Sequence, residues 1–480
     1  MILFWSIFSP FRHGFRAVLI SFLLCATWHA PVLGESYELT DSRKTSDLQS
    51  VKTTLQVRGK IQLENAKEDP NVELAASAQL AYQEYLVTNP GTLSDETPHS
   101  AARYYSVAKA KLRVGGHDEL VKMNEAGQWI VARSGTTNTL ASAQVPLSRP
   151  ELELLTVPGN SLVAYRLLPN KSVEEGATWT HSDEAIAALV NLDEVTVNET
   201  RSRLVEVKQG LARMQLTGTI SGNVNGAASR LKISGDYRYD LNWKHITWLK
   251  LVVEELRETS PTNPGFNVRA EMRMLAEPVK DTVRLNEQVV KKMLESVPSR
   301  GSLLRFESLN GGYRLIHDAN WHVHNEGKTN AHLRLVSDGQ TIAQCNIQRL
   351  KQRSPEQPLL LDEFKQGVVK ALEDRYTRLL SAREWKRKDN YNILKVVAEG
   401  EVDKIPIQWT YYHLSSAGGH CATYVFTLEK ESAESFTGYD QMMVDSIKLA
   451  EIPDEKQNPA RQATRKSAPR SQTLNQAPRL

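Results

Sequence analysis

The sequence predicts an α+β fold: a curved, half-barrel-like antiparallel β-meander domain, followed by a second unit of antiparallel strands and helices. Between residues 195 and 275, polar and apolar residues alternate in long runs separated by short turns. This pattern is typical of successive strands that each bury one face. After residue 303, shorter alternating runs surround one segment with helical periodicity. Helices and antiparallel strands are therefore expected together in the second half.

The meander is predicted from five strand candidates with tight connections. Lys208-Gln209-Gly210 is typical of a turn, and residues 222–226 and 261–265 of loops. Strands of ten or more residues joined in this way form a sheet that twists and curves. The five candidates are 195–208, 211–220, 227–237, 245–257 and 266–275.

The first domain, predicted at 51–277 after a flexible segment 35–50, begins with further strands and two short helices. Every second residue from Val72 to Tyr82 is apolar, which favours a strand. Ser148 and Glu151 fit a capping box, and Ser182 fits the N-cap of a second helix. The other strand candidates are 51–64, 104–114 and 128–134.

Residues 278–302 are predicted to be a linker, because they combine many charges with Pro298. The second domain is predicted at 303–450. Its main helix, 362–376, has Phe364, Val368 and Leu372 on one face. The strand candidates are 313–316, 332–336, 341–350, 392–399, 405–414 and 420–428, and a short helix is expected at 439–446.

The first 34 residues are typical of an export signal. Two arginines precede the apolar run 17–26, and the small residue Gly34 precedes Glu35. The run has about half of the ~20 residues that span a bilayer. We therefore predict cleavage before Glu35 and a secreted or periplasmic protein. An uncleaved anchor, the alternative, would be its only contact with a membrane.

Three cysteines remain to be explained. Lipid attachment at Cys25 is disfavoured, because Leu24 stands where a small residue is needed. Cys345 and Cys421 would be left in an exported chain, where a disulfide is permitted. Two buried thiols on different strands are the other interpretation, and the sequence leaves both open.

Charge argues against a nucleic-acid partner. The 480 residues carry a net charge of +3, too small for a polyanion-binding surface. The final segment 451–480, rich in Pro, Gln, Ser and Arg, is predicted to be a disordered basic tail. A solvated flexible end is the simpler interpretation, and contact with anionic envelope material is the alternative.

The second domain resembles the PsbP-type alpha-beta-alpha sandwich. The resemblance rests on Gly312-Tyr313-Arg314-Leu315 continuing to Trp321, on His332-Leu333-Arg334-Leu335, on Leu361-Asp362-Glu363-Phe364, on Ile405-Pro406-Ile407-Gln408-Trp409, and on residues 440–447. It implies a sandwich of an antiparallel sheet and helices over about residues 303–450. It also implies a non-catalytic scaffold or partner-binding module, since such domains share no catalytic residues.

The first domain resembles an uncharacterised group of secreted bacterial proteins. The residues concerned are Pro158-Gly159-Asn160-Ser161-Leu162, Gly176-Ala177-Thr178-Trp179 and His245-Ile246-Thr247-Trp248-Leu249. In architecture it is also similar to the open half-barrel of LolA-type lipoprotein carriers. That similarity is an analogy of shape.

Histidines are the first candidates for chemistry. His322 and His324 are two residues apart, so in a strand they would face the same side, as a metal pair could. No carboxylate or cysteine stands at ligand spacing beside them, which favours ordinary hydrogen-bonded histidines. The other histidines of the second domain are His317, His332, His413 and His420.

Other residue types give no catalytic, cofactor or metal site that the sequence can name. Aromatic residues Trp409, Tyr411 and Tyr412 could stack on a ligand, but they and Trp179, Trp243 and Trp248 are interpreted as core. The adjacent acids Glu254–Glu255 and Asp193–Glu194 would point to opposite strand faces. No hydrolase, metalloprotease or nucleotide-binding motif is present.

Three functions are therefore considered. The first is an exported, non-catalytic envelope or extracellular protein that binds an unknown protein or envelope component, or assists assembly. The second is a carrier that holds a lipid or other apolar ligand in the first domain. The third is a hydrolase whose site is not visible in the sequence. A filled or hollow first sheet should discriminate between the first two.

Overall fold

The computed structural model describes residues 35–62, 71–87, 100–135, 138–260, 264–280, 282–297, 302–337 and 339–450. Antiparallel strands dominate these ranges, and the predicted α+β class is confirmed. The predicted export signal and the predicted basic tail lie outside the described residues. Within these ranges, no helix has both the length and the apolar character needed to cross a bilayer.

The strands and helices up to residue 297 are as follows: β1 (Ser36–Leu39), β2 (Leu48–Gln62), β3 (Asn71–Val87), β4 (Ser100–Val114), β5 (His117–Lys122), β6 (Trp129–Arg133), β7 (Thr139–Ser142), α1 (Arg149–Leu155), α2 (Ser161–Ala164), β8 (Lys171–Glu174), β9 (Thr178–Thr180), α3 (Asp183–Val190), β10 (Glu194–Asn198), β11 (Arg201–Lys208), β12 (Leu211–Val224), β13 (Ala227–Asp240), β14 (His245–Arg257), β15 (Gly265–Pro278) and α4 (Glu287–Ser296).

Thirteen of these strands form one antiparallel sheet, which we call the first sheet. Its order is β7-β6-β4-β3-β2-β15-β14-β13-β12-β11-β9, with β5 beside β4 and β10 beside β12. The predicted meander is present as β11 to β15. Because β2 pairs with β15 over its whole length, the N-terminal hairpins and the meander belong to one continuous sheet.

The strand predicted at 195–208 is wrong in one respect, because the structure divides it into β10 and β11. Both pair with β12, but residues 199 and 200 interrupt the ladder. The Asn198 side chain accepts hydrogen bonds from the Thr200 amide at 3.0 Å and from the Thr200 hydroxyl at 2.6 Å. The Glu199 amide still donates to the Thr219 carbonyl at 3.0 Å, but the turn at Asn198–Thr200 divides the strand, and alternation of residue types does not reveal it.

Three helices cover one face of the first sheet. The predicted capping box of α1 is present, since the Ser148 amide donates to the Glu151 carboxylate at 2.7 Å and the Ser148 hydroxyl accepts from the Glu151 amide. The predicted N-cap of α3 is also present, with Ser182 accepting from the Ala185 amide at 3.2 Å. Apolar side chains of α1, α2 and α3 pack with β11 to β15 in the largest core cluster.

The segment predicted as a linker contains α4, which packs against the first sheet. Val290 and Met293 of α4 are buried together with Ala102 and Val131, on the face away from α1 to α3. The domain boundaries themselves stay a prediction. The described residues from 36 to 450 belong to one unit, in which the Arg305 amide donates to the Leu147 carbonyl at 2.7 Å.

The remaining elements are β16 (Leu303–Ser308), β17 (Tyr313–Asp318), β18 (Trp321–Glu326), β19 (Asn330–Ser337), β20 (Gln340–Arg349), α5 (Leu361–Leu372), β21 (Tyr376–Lys386), β22 (Asn392–Val402), β23 (Ile405–Ser415), β24 (Cys421–Glu429), α6 (Tyr439–Ser446) and β25 (Lys448–Leu449).

Seven of these strands form the second sheet, in the order β18-β19-β20-β24-β23-β22-β21. Helix α5 packs on one face through Val368 and Leu372. Helix α6 packs on the other face through Met443 and Val444, together with the small sheet β16-β17-β25. Helical and sheet layers therefore alternate, as a sandwich requires.

The helix predicted at 362–376 is wrong at its end. Helix α5 ends at Leu372, and Glu373 has a φ of 52°. A short 3-10 turn follows, and Tyr376 then begins β21. A residue other than glycine rarely has a positive φ, and this conformation at Glu373 ends the helix. Strand β21, which the sequence did not predict, begins directly after this 3-10 turn.

Candidate functional site

The inner face of the first sheet is filled where α1, α2 and α3 cover it. A Cβ atom on Gly159 would lie 2.2 Å from Met272 Cε, so backbone and side chain are already in contact. The Trp179 indole and the Tyr237 hydroxyl both donate to the Leu167 carbonyl, at 2.9 and 3.1 Å. Two cavities in this region measure about 10 and 20 Å³, room for roughly one water molecule each.

The same face continues beyond the helices as a partly exposed apolar surface. We call it the open face, and it consists of alternate residues at the outer ends of β2, β3 and β4. Their side chains are half-buried, whereas Val51 and Leu80, further along the same strands, are buried in the core. The residues of the open face are Val57, Ile61, Val72, Leu74, Leu112 and Val114.

Strand register brings these side chains together. Ile61 is opposite Val72, and Leu74 is opposite both Gly59 on β2 and Val114 on β4. Residues directly opposite in neighbouring strands share a face and lie about 4.5–5.5 Å apart at Cβ. The reverse face of the same strands carries exposed charges, among them Lys60 and Glu73, which are 3.6 Å apart.

A polar group borders the apolar surface on β14. The Arg257 guanidinium pairs with Glu255 at 2.6 Å and donates to the Ser229 hydroxyl at 3.0 Å. It also lies 4.6 Å from the centre of the Phe266 ring. Arg257 and Glu255 therefore neutralise each other's charge at the edge of the open face. The open face itself is apolar.

A buried ion pair lies beneath α2. Arg103 on β4 donates to Glu84 on β3 at 2.6 Å, and their exposed fractions are 2% and 0%. The Ser161 hydroxyl donates to both Glu84 oxygens at 2.9 Å, and the Gln49 amide donates to Oε1. Burial alone would lower the pKa of the Arg103 guanidinium, but its neighbours Tyr82, Glu84 and Tyr105 together raise that pKa above its ordinary value. These bonds tie β2, β3, β4 and α2 together.

A histidine–serine pair is also buried in the first sheet. His181 Nε2 lies 2.9 Å from the Ser202 hydroxyl, and burial lowers the pKa of His181 to about 4. Among the described hydrogen bonds, no carboxylate bonds to this ring. Since both residues are almost fully buried, a substrate has no access to them. Neither this pair nor the Arg103 ion pair was predicted from the sequence.

A cleft of about 420 Å³ lies where α1 contacts β16, β17 and β18. Arg149 reaches it and donates to the Trp321 carbonyl at 3.0 Å. His317 and His322 also line it, and burial lowers the pKa of each to about 4. Both histidines are therefore neutral at neutral pH. Glu153 lines the cleft as well as Arg149. The cleft therefore contains both acidic and basic side chains.

The proposed pair His322 and His324 is separated by a β-bulge. The register of β18 shifts between Val323 and Asn325. His322 lines the cleft beside Arg149, whereas the His324 ring lies 5.6 Å from the His332 ring. Among the described residues, no three His, Cys, Asp or Glu side chains are grouped as metal ligands.

A second cleft of about 410 Å³ lies at one end of the second sheet. We call it the His413 cleft. It is formed by the segment 353–359, the β21–β22 turn and the β23–β24 hairpin. Its polar lining residues are Arg353, Ser354, Lys386, Asn390, Asn392, His413, Ser415 and Ser416. His420, which the sequence grouped with His413, does not line it.

The aromatic residues are divided between core and surface. Trp409, Tyr412 and Trp179 are buried, and the Tyr412 hydroxyl donates to Asp440 at 2.5 Å. Trp243, predicted to be core, is 51% exposed. It lies in the turn between β13 and β14, and its ring stacks on the His245 ring with the centroids 5.9 Å apart. Because it is in a turn, its side chain belongs to neither sheet.

The adjacent acids have separate partners, although Asp193 precedes β10 and is not itself in a strand. Glu254 pairs with Arg269, and Glu255 with Arg257. Asp193 accepts from the Asn225 amide at 2.6 Å, and Glu194 accepts from the Asn223 side chain at 3.2 Å. Neither pair forms an acid–base couple.

Cys345 and Cys421 are free and buried, so they do not form the disulfide that the sequence permitted. Burial raises the pKa of both thiols, which lowers the thiolate fraction and therefore the reactivity. We expect neither to react with dithionitrobenzoate at neutral pH in the folded protein. In urea, two thiols per chain should react if the signal is cleaved, and three if Cys25 is retained. Rapid labelling without urea would contradict this placement.

Comparisons with known proteins concern the fold only. No family model and no curated protein matches the chain. The PsbP protein of Synechocystis sp. PCC 6803 is similar over 32% of this chain and 95% of its own, with 11% identity and a TM-score of 0.26. The Ran-binding protein Mog1p of Saccharomyces cerevisiae is similar over 31% and 96%, with 10% identity and a TM-score of 0.25.

A lipovitellin structure is similar over 51% of this chain and 26% of its own, with 7% identity and a TM-score of 0.27. The match spans about a quarter of the lipovitellin chain. The predicted PsbP-type resemblance agrees, at the level of the fold, with this low-identity similarity to a PsbP protein. The resemblance of the first domain to secreted bacterial proteins stays a prediction.

Proposed function

We propose that this chain is an exported, non-catalytic envelope or extracellular protein that binds an apolar surface of a partner protein through the open face. The observation that carries the proposal is the continuation of inward-facing apolar residues beyond the packed core. Val57, Leu74 and Leu112 remain partly exposed there. A contiguous apolar patch of this kind is a typical interaction surface.

A protein partner fits the open face better than a carried lipid does. A carrier must enclose an apolar ligand, and sites for such ligands bury about 70–90% of the ligand surface. Here the enclosed part of the face is filled by α1 to α3, and Ile186 and Leu189 of α3 lie in that core. The remaining part is a surface, which a partner can cover with its own apolar residues.

Burial of the polar groups supports a role without catalysis. General acid–base catalysis needs a group whose pKa is near the working pH and which a substrate can reach. His181, His317, His322 and His413 each have a pKa lowered to about 4 by burial. The Ser161 hydroxyl is held by Glu84 beneath α2, where a substrate does not reach it.

The proposal predicts that Leu74→Lys abolishes partner binding while Ala75→Lys does not. Leu74 is part of the open face, and Ala75 is exposed on the reverse face of the same strand. Tagged wild-type and variant proteins would be used to capture partners from an envelope extract of the producing cells, with quantitative mass spectrometry. We expect a protein retained by the wild type and by Ala75→Lys to fall at least about tenfold with Leu74→Lys.

Organic extraction of the same samples tests the carrier alternative. Phospholipid or fatty acid that co-purifies with the wild type and is lost only in Leu74→Lys would favour a carrier. Equal capture of all proteins by the two variants would argue against any role of the open face. Circular dichroism melting curves check that both variants fold.

A further inference from the structure

The His413 cleft is held in shape by backbone bonds between two chain segments. The Arg353 amide donates to the Gly419 carbonyl at 3.0 Å, and the Leu350 amide donates to the Cys421 carbonyl at 3.0 Å. The Gln352 side chain donates to the Gly418 carbonyl at 2.7 Å. These bonds fix the segment 350–353 against the β23–β24 hairpin, so the cleft does not depend on a ligand for its form.

Positive charge in the cleft is not neutralised by its walls. Arg353 is half-buried, and within the described ranges its guanidinium has no hydrogen bond or ion pair. Lys386, on the other wall, has no ion pair there either. No Asp or Glu lines the cleft. The Glu384 carboxylate accepts a hydrogen bond at 3.1 Å from the side-chain amide of Asn392, a residue that lines the cleft.

A buried donor or acceptor on the cleft wall also lacks a partner. His413 is only 4% exposed, and its Nε2 atom has no hydrogen bond among the described groups. Buried polar atoms in native proteins are nearly always paired, with a ligand or water where the protein supplies nothing. Burial lowers the pKa of His413 to about 4, so a neutral imidazole faces the cleft at neutral pH.

We propose that the His413 cleft binds a small organic anion, with its carboxylate or phosphate group against Arg353 and Lys386. The inference is independent of the open face. An unpaired Arg is the side chain best suited to either group, because its guanidinium bonds two oxygens at once. Pro355, Pro358 and Leu359 supply an apolar wall for the body of the ligand. The volume of about 410 Å³ is that of a small-ligand site, for which roughly 300–1,000 Å³ is usual.

Calorimetric titration of the full chain tests the proposal with three probes of similar size. Benzoate and phenyl phosphate carry the two candidate anionic groups, and benzamide is the neutral match for benzoate. We expect at least one anion to bind about tenfold more tightly than benzamide. The stronger of the two identifies the anionic group. Benzamide binding as tightly as both anions would overturn the proposal.

Variants then locate the site. Arg353→Gln should weaken binding of the preferred anion at least about tenfold, and Lys386→Gln should weaken it less. Lys351→Gln makes the same charge change nearby, at an exposed residue that does not line the cleft, and should leave affinity within about twofold. Equal effects of the Arg353 and Lys351 variants would show that general charge, and not this cleft, attracts the anion.

Discussion

Arg103→Leu is expected to lower the free energy of unfolding by about 3–5 kcal/mol, because it leaves the Glu84 carboxyl group buried without its cationic partner. Glu84 is fully buried, and Arg103 donates to it at 2.6 Å. The Ser161 and Gln49 hydrogen bonds to Glu84 remain, but neither residue supplies a positive charge. Urea unfolding followed by circular dichroism measures the change.

Arg113→Leu provides the matched control. Arg113 lies on the same strand and pairs with Asp118 at 2.5 Å, but both side chains are exposed to solvent. Exposed pairs contribute little to stability because water and salt screen them. We expect little or no change in the midpoint of unfolding for this variant. Similar losses in the two variants would mean that burial of the Arg103 pair does not matter energetically.

Gly419→Ala is expected to destabilise the protein by about 2–4 kcal/mol, from left-handed backbone strain and overpacking together. Gly419 has a φ of +79°, and an added Cβ would lie 2.0 Å from the Arg353 carbonyl oxygen. Since that contact is with backbone, the segment carrying Arg353 must move. The effect is measured by urea unfolding.

Gly418→Ala is the control, because the nearest atoms to its added Cβ are 3.8 Å away or more. It should change stability by no more than a few tenths of a kcal/mol, about the cost of an exposed surface substitution. If the Gly419 and Gly418 variants were equally stable, the close contact between the hairpin and the segment 350–353 would be absent in solution.

The long strands of the first sheet could be predicted because alternation of residue types reports burial directly, whereas the short strands β5, β7 and β9 were not predicted. The long strands β2, β12 and β13 bury mainly one face, so their apolar residues recur with period two. The interruption between β10 and β11 was missed, since it depends on a hydrogen bond between Asn198 and Thr200. Strand β21 was missed because all of its residues are partly or fully exposed.

The candidate sites could be predicted only in part. Glu84 continues the inward alternation of Leu80 and Tyr82 on β3, so a charge at a core position was a signal that the sequence contained. Its partner Arg103 is set by the register of β3 and β4, which residue types alone do not determine. The walls of the His413 cleft come from three separate segments, so no local motif marks it.

Photo-cross-linking tests directly whether the open face binds a partner protein. A benzoylphenylalanine residue would replace Leu74 in one variant and Ala75 in another, and intact producing cells would be irradiated. We expect a cross-linked species, larger by the mass of a partner protein, from position 74 and not from position 75. A protein adduct from position 75 alone, lipid adducts only, or no adduct from position 74 would contradict it.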